Sequence, residues 1–446
     1  MARTASAIDF AQLTDECVGL LSEYLAIDTT NPPGDVSAAA DWVDKVLSGA
    51  GLETKRLGTS LDKTNVVATI DGSGDLRPLV LSHHMDVVGA PPEGWSVPPF
   101  GGLVQDGYVW GRGALDMKGF GVLTIVCALT IARLGIPLRR PLRLLVTADE
   151  EVGGELGAKW LAANHLDDAA GEFFWTEGSF GTKRDEGVFY GIEAAQKGVS
   201  AIKVTTRGVP GHASAPSDDN AVVAMARTLA KIGSYRSPLG ARDLVVRYIK
   251  ALPNSLTKLD VNIDDFNDDD LDALLQRLRT RGERTSNMMR NTFTPTMVQA
   301  GVGQNVIPAI CEAYLDVRSR PGVDGDALLA ELRGVIDDDA VELELVKNSV
   351  GTESSIDTEL YRALSDAITT ERPGAVVIPY MGSGGTDAKH LRPHGVVCYG
   401  LVPFEPGVKE LQRIHGIDER VSIEELERGL RIVFDVVLRM CADEQP

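Results

Sequence analysis

Cysteine is scarce in this chain, with five residues among 446 and no C-x-x-C pair. Cys17, Cys127, Cys311, Cys398 and Cys441 form an odd, scattered set that suits reduced thiols better than a disulfide framework. Long apolar runs are missing too. No window approaches the roughly 18 uncharged apolar residues that a membrane helix needs. The N-terminal stretch MARTASAIDFAQLTDE has one Arg but no apolar core, so it does not read as a secretory signal. Positive charge is in deficit. The 44 Lys and Arg against 64 Asp and Glu leave a formal net charge of −20, which repels nucleic acid and anionic membrane. A cytoplasmic protein with small-molecule partners is expected.

What is present is globular in character, with 43% hydrophobic and 24% charged residues. At this length one core is insufficient, and two or three domains follow. Residues 8–26 and 36–50 have apolar side chains at helical spacing, and 65–70 and 78–86 read as strands. An apolar helix covers 119–135, closed by Gly135 and Pro137, and a strand at 142–151 runs into charge. Strands alternating with helices predict an α/β layer fold with a largely parallel sheet, whose ligands bind beyond the carboxyl ends of its strands.

From about residue 197 the pattern becomes β-α-β-β-α-β, a ferredoxin-like unit of its own. It is interrupted by an extra segment, 235–290, whose acidic run DDFNDDDLD reads as a solvated face beside a helix LDALLQRLRTRG. The α/β pattern resumes after 350. The expected division is therefore 1–196 with 350–446 as one domain and 197–349 as an inserted second one.

The polar residues that close the apolar strands carry the chemical signal. His84 and Asp86 alternate at i, i+2 on a strand. Asp116 lies in the Gly-rich GRGALDMKG, Glu150 and Glu151 close a strand, Glu177 closes GEFFWTEG, and His415 stands in RIHGIDE. Only seven histidines exist. Histidine beside carboxylates at strand ends is the donor set that borderline divalent metals choose. Two His and three carboxylates can hold two zinc-type ions around one shared carboxylate. Of the adjacent pair Glu150-Glu151, one can ligate while the other moves protons.

In combination these motifs resemble the dizinc metallopeptidase family of aminoacylase, carboxypeptidase G, acetylornithine deacetylase and succinyl-diaminopimelate desuccinylase. The resemblance runs from about 15 to 437. It rests on HMDVV at 84–88, GRGALDMKG at 111–119, DEEVGG at 149–154, TEG at 176–178, GHAS at 211–214, GGTDA at 384–388 and HGIDE at 415–419. The tract WSVPPFGGLVQDGYVWGRG at 95–113 is most similar to the longer carboxypeptidase and N-acyl-amino-acid hydrolase members. The resemblance implies a zinc-peptidase-like catalytic domain with a mixed, mostly parallel sheet and an inserted lid and dimerisation domain.

It also implies roles. His84 and Glu177 would hold one zinc, Glu151 and His415 the other, with Asp116 bridging and cobalt or manganese as alternatives. Asp86 would bond the far nitrogen of His84. Glu150 would be the general base for a water shared by the two ions. The peptide after Asp116 is cis in relatives. His212 resembles a residue that holds the oxyanion, often of a partner subunit. Asn305 and Arg318, with Gly384, Gly385 and Thr386 of a Gly-rich loop, resemble contacts to the substrate's carboxylate.

Some features depart from that pattern. Lys389 stands where many relatives have Arg, and a second histidine, His83, precedes the ligand and is expected to face away. His390 and His394 are expected at the surface or behind the site. The function implied is a metal-dependent amidohydrolase acting on an N-acyl amino acid or small peptide-like substrate with a free carboxylate. A dipeptidase or carboxypeptidase using the same machinery is the near variant. A two-metal phosphoesterase lacks an evident Arg/Lys cluster near the ligand motifs, and a non-catalytic binding protein would be missing ligands or base.

Overall fold

The computed structural model describes residues 8–184, 187–240, 242–251, 263–279 and 288–443. The chain divides into two compact units, Met1–Ala194 with Ser354–Tyr380 and Thr386–Pro446, and Ala195–Glu353 with Met381–Gly385. The sequence pattern had assigned all of 350–446 to the first unit. Residues 350–353 and Met381–Gly385 instead group with the second, where Lys197 N–H donates to the Gly382 carbonyl and Arg318 to that of Ser383.

The first unit opens on helix α1, Phe10–Leu25. Asp9 caps it by accepting from the Ala11 and Gln12 N–H groups, and its apolar stripe Leu13, Cys17, Leu21, Tyr24 and Leu25 is buried. Helix α2 covers Ser37–Gly49. Strands follow at β1 Thr54–Gly58, β2 Thr64–Ile70, β3 Leu79–His84, β4 Leu103–Gln105 and β5 Tyr108–Trp110. Helix α3, Lys118–Leu134, precedes β6 Leu142–Thr147, and α4 Ala158–Asn164 precedes β7 Phe173–Arg184 and β8 Gly187–Gln196.

The second unit contains β9 Gly198–Arg207, β10 Gly211–His212, α5 Ala221–Ser234, β11 Thr292–Ala300, β12 Val306–Ile307, β13 Ile310–Ser319, α6 Gly325–Ile336, β14 Glu342–Lys347 and β15 Thr352–Glu353. Its four-stranded sheet runs β11-β13-β9-β14, antiparallel throughout, and buries Ile202, Val204, Met225, Leu315, Leu328 and Leu332. Topology is β-α-β-β-α-β. Of the extra segment, helices Arg242–Ala251 and Asp268–Arg279 are described. The acidic run starts the latter, where Asn267 and Asp270 cap each other reciprocally. The end of that expected helix, 280–282, lies outside the described residues.

The chain completes the first unit with α7 Glu359–Glu371, β16 Val376–Gly382, β17 Val397–Val402, β18 Arg420–Ser422 and α8 Ile423–Cys441. Its main sheet runs β1-β2-β6-β3-β7-β17-β8, with β16 also on β8. The sheet is mixed. Parallel pairing is confined to the centre, β6–β3–β7–β17, and the pairs outside it, β1–β2, β2–β6 and β17–β8, are antiparallel.

Helices cover both faces of that centre, so its strands bury apolar side chains on both faces. Leu79 and Leu81 of β3, Leu144 of β6 and Trp175 of β7 pack into one core with α1, α3 and α8. Val80, Leu145 and Phe174 point into the opposite core. Among the described residues no helix is long and apolar enough to cross a membrane, and all five cysteines are free and buried.

Candidate active site

Two strand ends and a bulge of the first unit converge. β3 stops at His84, although the strand had been expected to reach Asp86. Met85 N–H still bonds the Thr147 carbonyl at 2.8 Å, and Asp86 lies just beyond the strand. β6 stops at Thr147 and runs into a 3₁₀ turn, Glu150–Val152. In β7 the register with β17 breaks between Gly400 and Leu401, so Glu177 and Gly178 form a bulge rather than the strand's end. A side chain on Gly178 would meet the Gly400 backbone at 2.6 Å, so the strands can approach there only with glycine.

Strand alternation sends His83 the other way, toward Tyr24 and helix α3. Burial pulls its pKa down to about 3, leaving it neutral. His84 is also buried, but it meets acid. Its Nε2 lies 3.3 Å from Asp116 Oδ1 and 3.7 Å from Glu177 Oε1. On the other side of Asp116, Oδ2 lies 3.0 Å from His415 Nε2, which is 3.4 Å from Glu151 Oε2. Two donor triads result, His84–Asp116–Glu177 and Asp116–Glu151–His415, each with its atoms within 4.8 Å of one another. The peptide between Asp116 and Met117 is cis.

The charges are unbalanced. Burial and the charge of Asp116 push Glu177 up to about 8. Burial and Glu177 hold Glu150 well above the usual carboxylate range. Hydrogen bonds to Asp116 and Glu151 raise His415 to about 10. Burial alone would discharge His84, yet Glu177, Asp116 and Glu150 together hold it above its ordinary range. Carboxylates crowded at this density call for a cation. His84 Nε2 and Glu151 Oε1 are buried without a hydrogen-bond partner, so both atoms stand uncommitted at the cluster. The donor set fits two divalent ions sharing Asp116.

The expected bond from the Asp86 carboxylate to His84 is not the one formed. His84 Nδ1 lies 2.8 Å from the Asp86 main-chain carbonyl and 3.8 Å from its carboxylate. The carboxylate is committed elsewhere, since its two oxygens accept the N–H groups of Glu150 and Glu151, each at 3.1 Å. Beyond the end of β3 the Asp86 side chain thus meets the turn that follows β6.

Sequence reasoning passed over several supporting residues. Glu419, fully buried, accepts from Leu115 N–H at 2.8 Å and Asp116 N–H at 3.1 Å, and pairs with Arg112 at 2.6 Å. Arg112 also donates to the Gly416 carbonyl, fixing the loop in which His415 takes a left-handed φ of 59°. Both residues lie inside quoted motifs, and that was the one available signal. Asp387 accepts from Thr147, and His390 bonds the Gly153 carbonyl at 2.9 Å, which places both against the turn carrying Glu150 and Glu151. His394 ends a short 3₁₀ turn, and Lys389 is the second residue of the short helix Ala388–Leu391.

The remaining expected residues do not belong to this cluster. Thr386 lies in the first unit and is buried. His212, Asn305, Arg318, Gly384 and Gly385 lie in the second. There His212 is exposed on β10, its Nδ1 meeting Ser214, and the Asn305 carbonyl accepts from Ala213. Arg318 grips Asp316 with two nitrogens and gives a third to Ser383.

Residues 80–439 match the family Peptidase family M20/M25/M40. The N-fatty-acyl-amino acid synthase/hydrolase PM20D1 of Mus musculus is 30% identical over 401 residues, covering 85% of this chain and 77% of its own. Aminoacylase-1 of Sus scrofa is 26% identical over 422 residues, covering 93% of each. The M20 family metallo-carboxypeptidase Sso-CP2 from Sulfolobus solfataricus shares the fold, with a TM-score of 0.67 at 16% identity, covering 95% of this chain and 99% of that one. Together with the two donor triads, the match over most of its length makes this chain a member of peptidase family M20/M25/M40.

Proposed function

We propose that this chain is a two-metal amidohydrolase that splits an N-acyl amino acid, or a small peptide-like substrate with a free carboxylate, at its amide bond. The observation that carries the reading is Asp116, whose two oxygens face two different imidazoles and so join two donor triads. His84 and Glu177 would hold one ion and Glu151 and His415 the other. Zinc suits the mixed His and carboxylate set, with cobalt or manganese as substitutes. Bound there, the ions supply Lewis acidity to the attacking water and to the amide carbonyl.

Glu150 does the proton work. It neighbours the cluster closely enough to bear on His84, yet it belongs to neither triad. Its burial among carboxylates raises its proton affinity, which suits a group that takes a proton from water and delivers it to the leaving amine. Asp86 orients it through the backbone. His212, Asn305, Arg318, Gly384, Gly385 and Thr386 are candidate contacts to the substrate's carbonyl and carboxylate on motif grounds. For Arg318 such a role means exchanging or sharing its hold on Asp316. The second unit is proposed as a lid and dimerisation module, a reading supported by exposed apolar side chains Val222 and Val223 on α5 and Met297 and Val298 on edge strand β11. Free, buried thiols suit a reducing compartment such as the cytoplasm.

The test is a panel of N-acetyl, N-octanoyl and N-palmitoyl derivatives of leucine and phenylalanine, with Gly-Leu as dipeptide and p-nitrophenyl phosphate as phosphoester. Hydrolysis of the acyl amino acids, lost on chelation and regained with zinc, cobalt or manganese, is expected. Activity untouched by exhaustive chelation would sink the two-metal reading, and preferential turnover of Gly-Leu would move the assignment to a dipeptidase.

A further inference from the structure

Behind the turn that carries Glu150 and Glu151 lies a buried polar network outside both donor triads. Asn31 is 6% exposed, Asp86 0%, Asp149 4% and Lys63 9%. Asn31 Nδ2 donates to Asp86 Oδ2 at 2.9 Å and to Asp149 Oδ1 at 3.3 Å. Lys63 Nζ donates to the same Asp149 oxygen at 3.2 Å and to the Pro33 carbonyl at 2.8 Å. The other Asp149 oxygen accepts from Leu156 N–H at 3.1 Å, and its main-chain carbonyl accepts from Gly154 N–H at 2.7 Å. Asn31 is itself fixed, because its backbone N–H bonds the Val87 carbonyl at 2.8 Å, one residue beyond Asp86.

Two buried carboxylates on either side of one amide nitrogen each need hydrogen-bond donors in place of the water they have lost, and Lys63 supplies the countercharge beside Asp149. An asparagine amide supplies two N–H bonds and no charge. An apolar residue there would leave both carboxylates without this donor. The network matters for chemistry because the Asp86 oxygens it fixes are the acceptors for the Glu150 and Glu151 N–H groups. Asp149, also fixed, immediately precedes the turn and has a left-handed φ of 70°.

We propose that Asn31 is a positioning residue for catalysis: by holding Asp86 and Asp149 apart at fixed places, it sets the turn that aims Glu150 at the reacting amide. This rests on Glu150 being the proton-transfer group. It predicts a coupling between positions 31 and 150 that a purely structural role would lack.

The experiment is a double-mutant cycle on the metal-loaded full chain with the panel substrate of highest kcat/KM. Asn31→Leu is expected to lower kcat at least 30-fold, with KM within about twofold, since substrate contacts lie elsewhere. In a Glu150→Gln background the same substitution should cost less than threefold more. Circular dichroism and metal content by emission spectrometry accompany each variant. Equal fractional losses in both backgrounds, a change confined to KM, or an unchanged kcat overturns the proposal. If Asn31→Leu does not fold, Asn31→Ser, which retains a short donor, is judged by the same cycle. If Glu150→Gln alone retains full kcat, the role of Glu150 fails, a result separate from any effect of Asn31.

Discussion

A carboxylate can bridge only if its oxygens face different partners, and Asp116 is held so that they do. Glu419 receives the N–H of Asp116 itself and of Leu115, so Asp116 is fixed through its backbone while both oxygens remain free for the imidazoles. The adjacent glutamates separate by the same logic, with Glu151 in a triad and Glu150 outside it. Glu150→Gln is therefore expected to keep two metal equivalents per chain while kcat falls by about 10²–10⁴, the range for losing a positioned base. Glu151→Gln should instead lose metal. Emission spectrometry on both variants decides, and the reverse pattern would exchange their roles. Glu419→Gln leaves Arg112 buried opposite a neutral group, so a loss of roughly 3 kcal/mol is expected in urea unfolding. The triad residues were legible in the sequence because scarce histidines and strand-closing acids sit in recognisable motifs. Asn31, Lys63 and Glu419 were not, because each acts on residues brought near only by the fold. The bond between Asp86 and the far nitrogen of His84, which the resemblance implied, is made by the Asp86 main-chain carbonyl, and which atom of Asp86 meets the ring depends on backbone geometry that the sequence does not display.

The elements carry the site because β3 and α3 pack unusually close. A Cβ on Gly121 would lie 2.4 Å from the His83 ring, so α3 can cover β3 only where its side chain is a hydrogen. His83 is followed directly by His84, and displacing one ring moves the other's backbone. Gly121→Ala gains in helix propensity, by about 1 kcal/mol at most. Overpacking against β3 costs about 1–3 kcal/mol and wins. A net loss of stability is expected, with weaker metal retention on dialysis against a weak chelator. Unchanged stability and retention would show that β3 yields without disturbing the ligand. Alternation and helical spacing made most of these elements legible, including the β-α-β-β-α-β unit. The bulge at Glu177 and the antiparallel flanks of the main sheet were hidden, since both depend on which strand lies alongside.

At the scale of the molecule two sources of negative charge must be told apart. The formal charge of −20 is spread over the chain, while Asp116, Glu150, Glu151 and Glu177 crowd one buried place. Salt screens the first within about 8–10 Å and barely reaches the second. Divalent ions act on the second directly. Because they bind the assembled triads and not the unfolded chain, each site stabilises by RT ln(1 + [L]/Kd), about 2.7 kcal/mol at a hundredfold excess over Kd. Chelation of the native protein is thus expected to lower Tm by roughly 5 °C or more, using the several degrees per few kcal/mol typical of sizeable domains. Adding 1 M NaCl to the stripped protein should recover less than half of that loss, whereas zinc should recover nearly all of it. Asp116→Asn removes the bridge, so its Tm should barely respond to chelator or zinc. Differential scanning calorimetry of the two proteins under the three conditions separates the cases. If salt restored the native Tm as well as zinc did, the acidity of the whole chain would be the cause, and the triads would have no part in holding the fold.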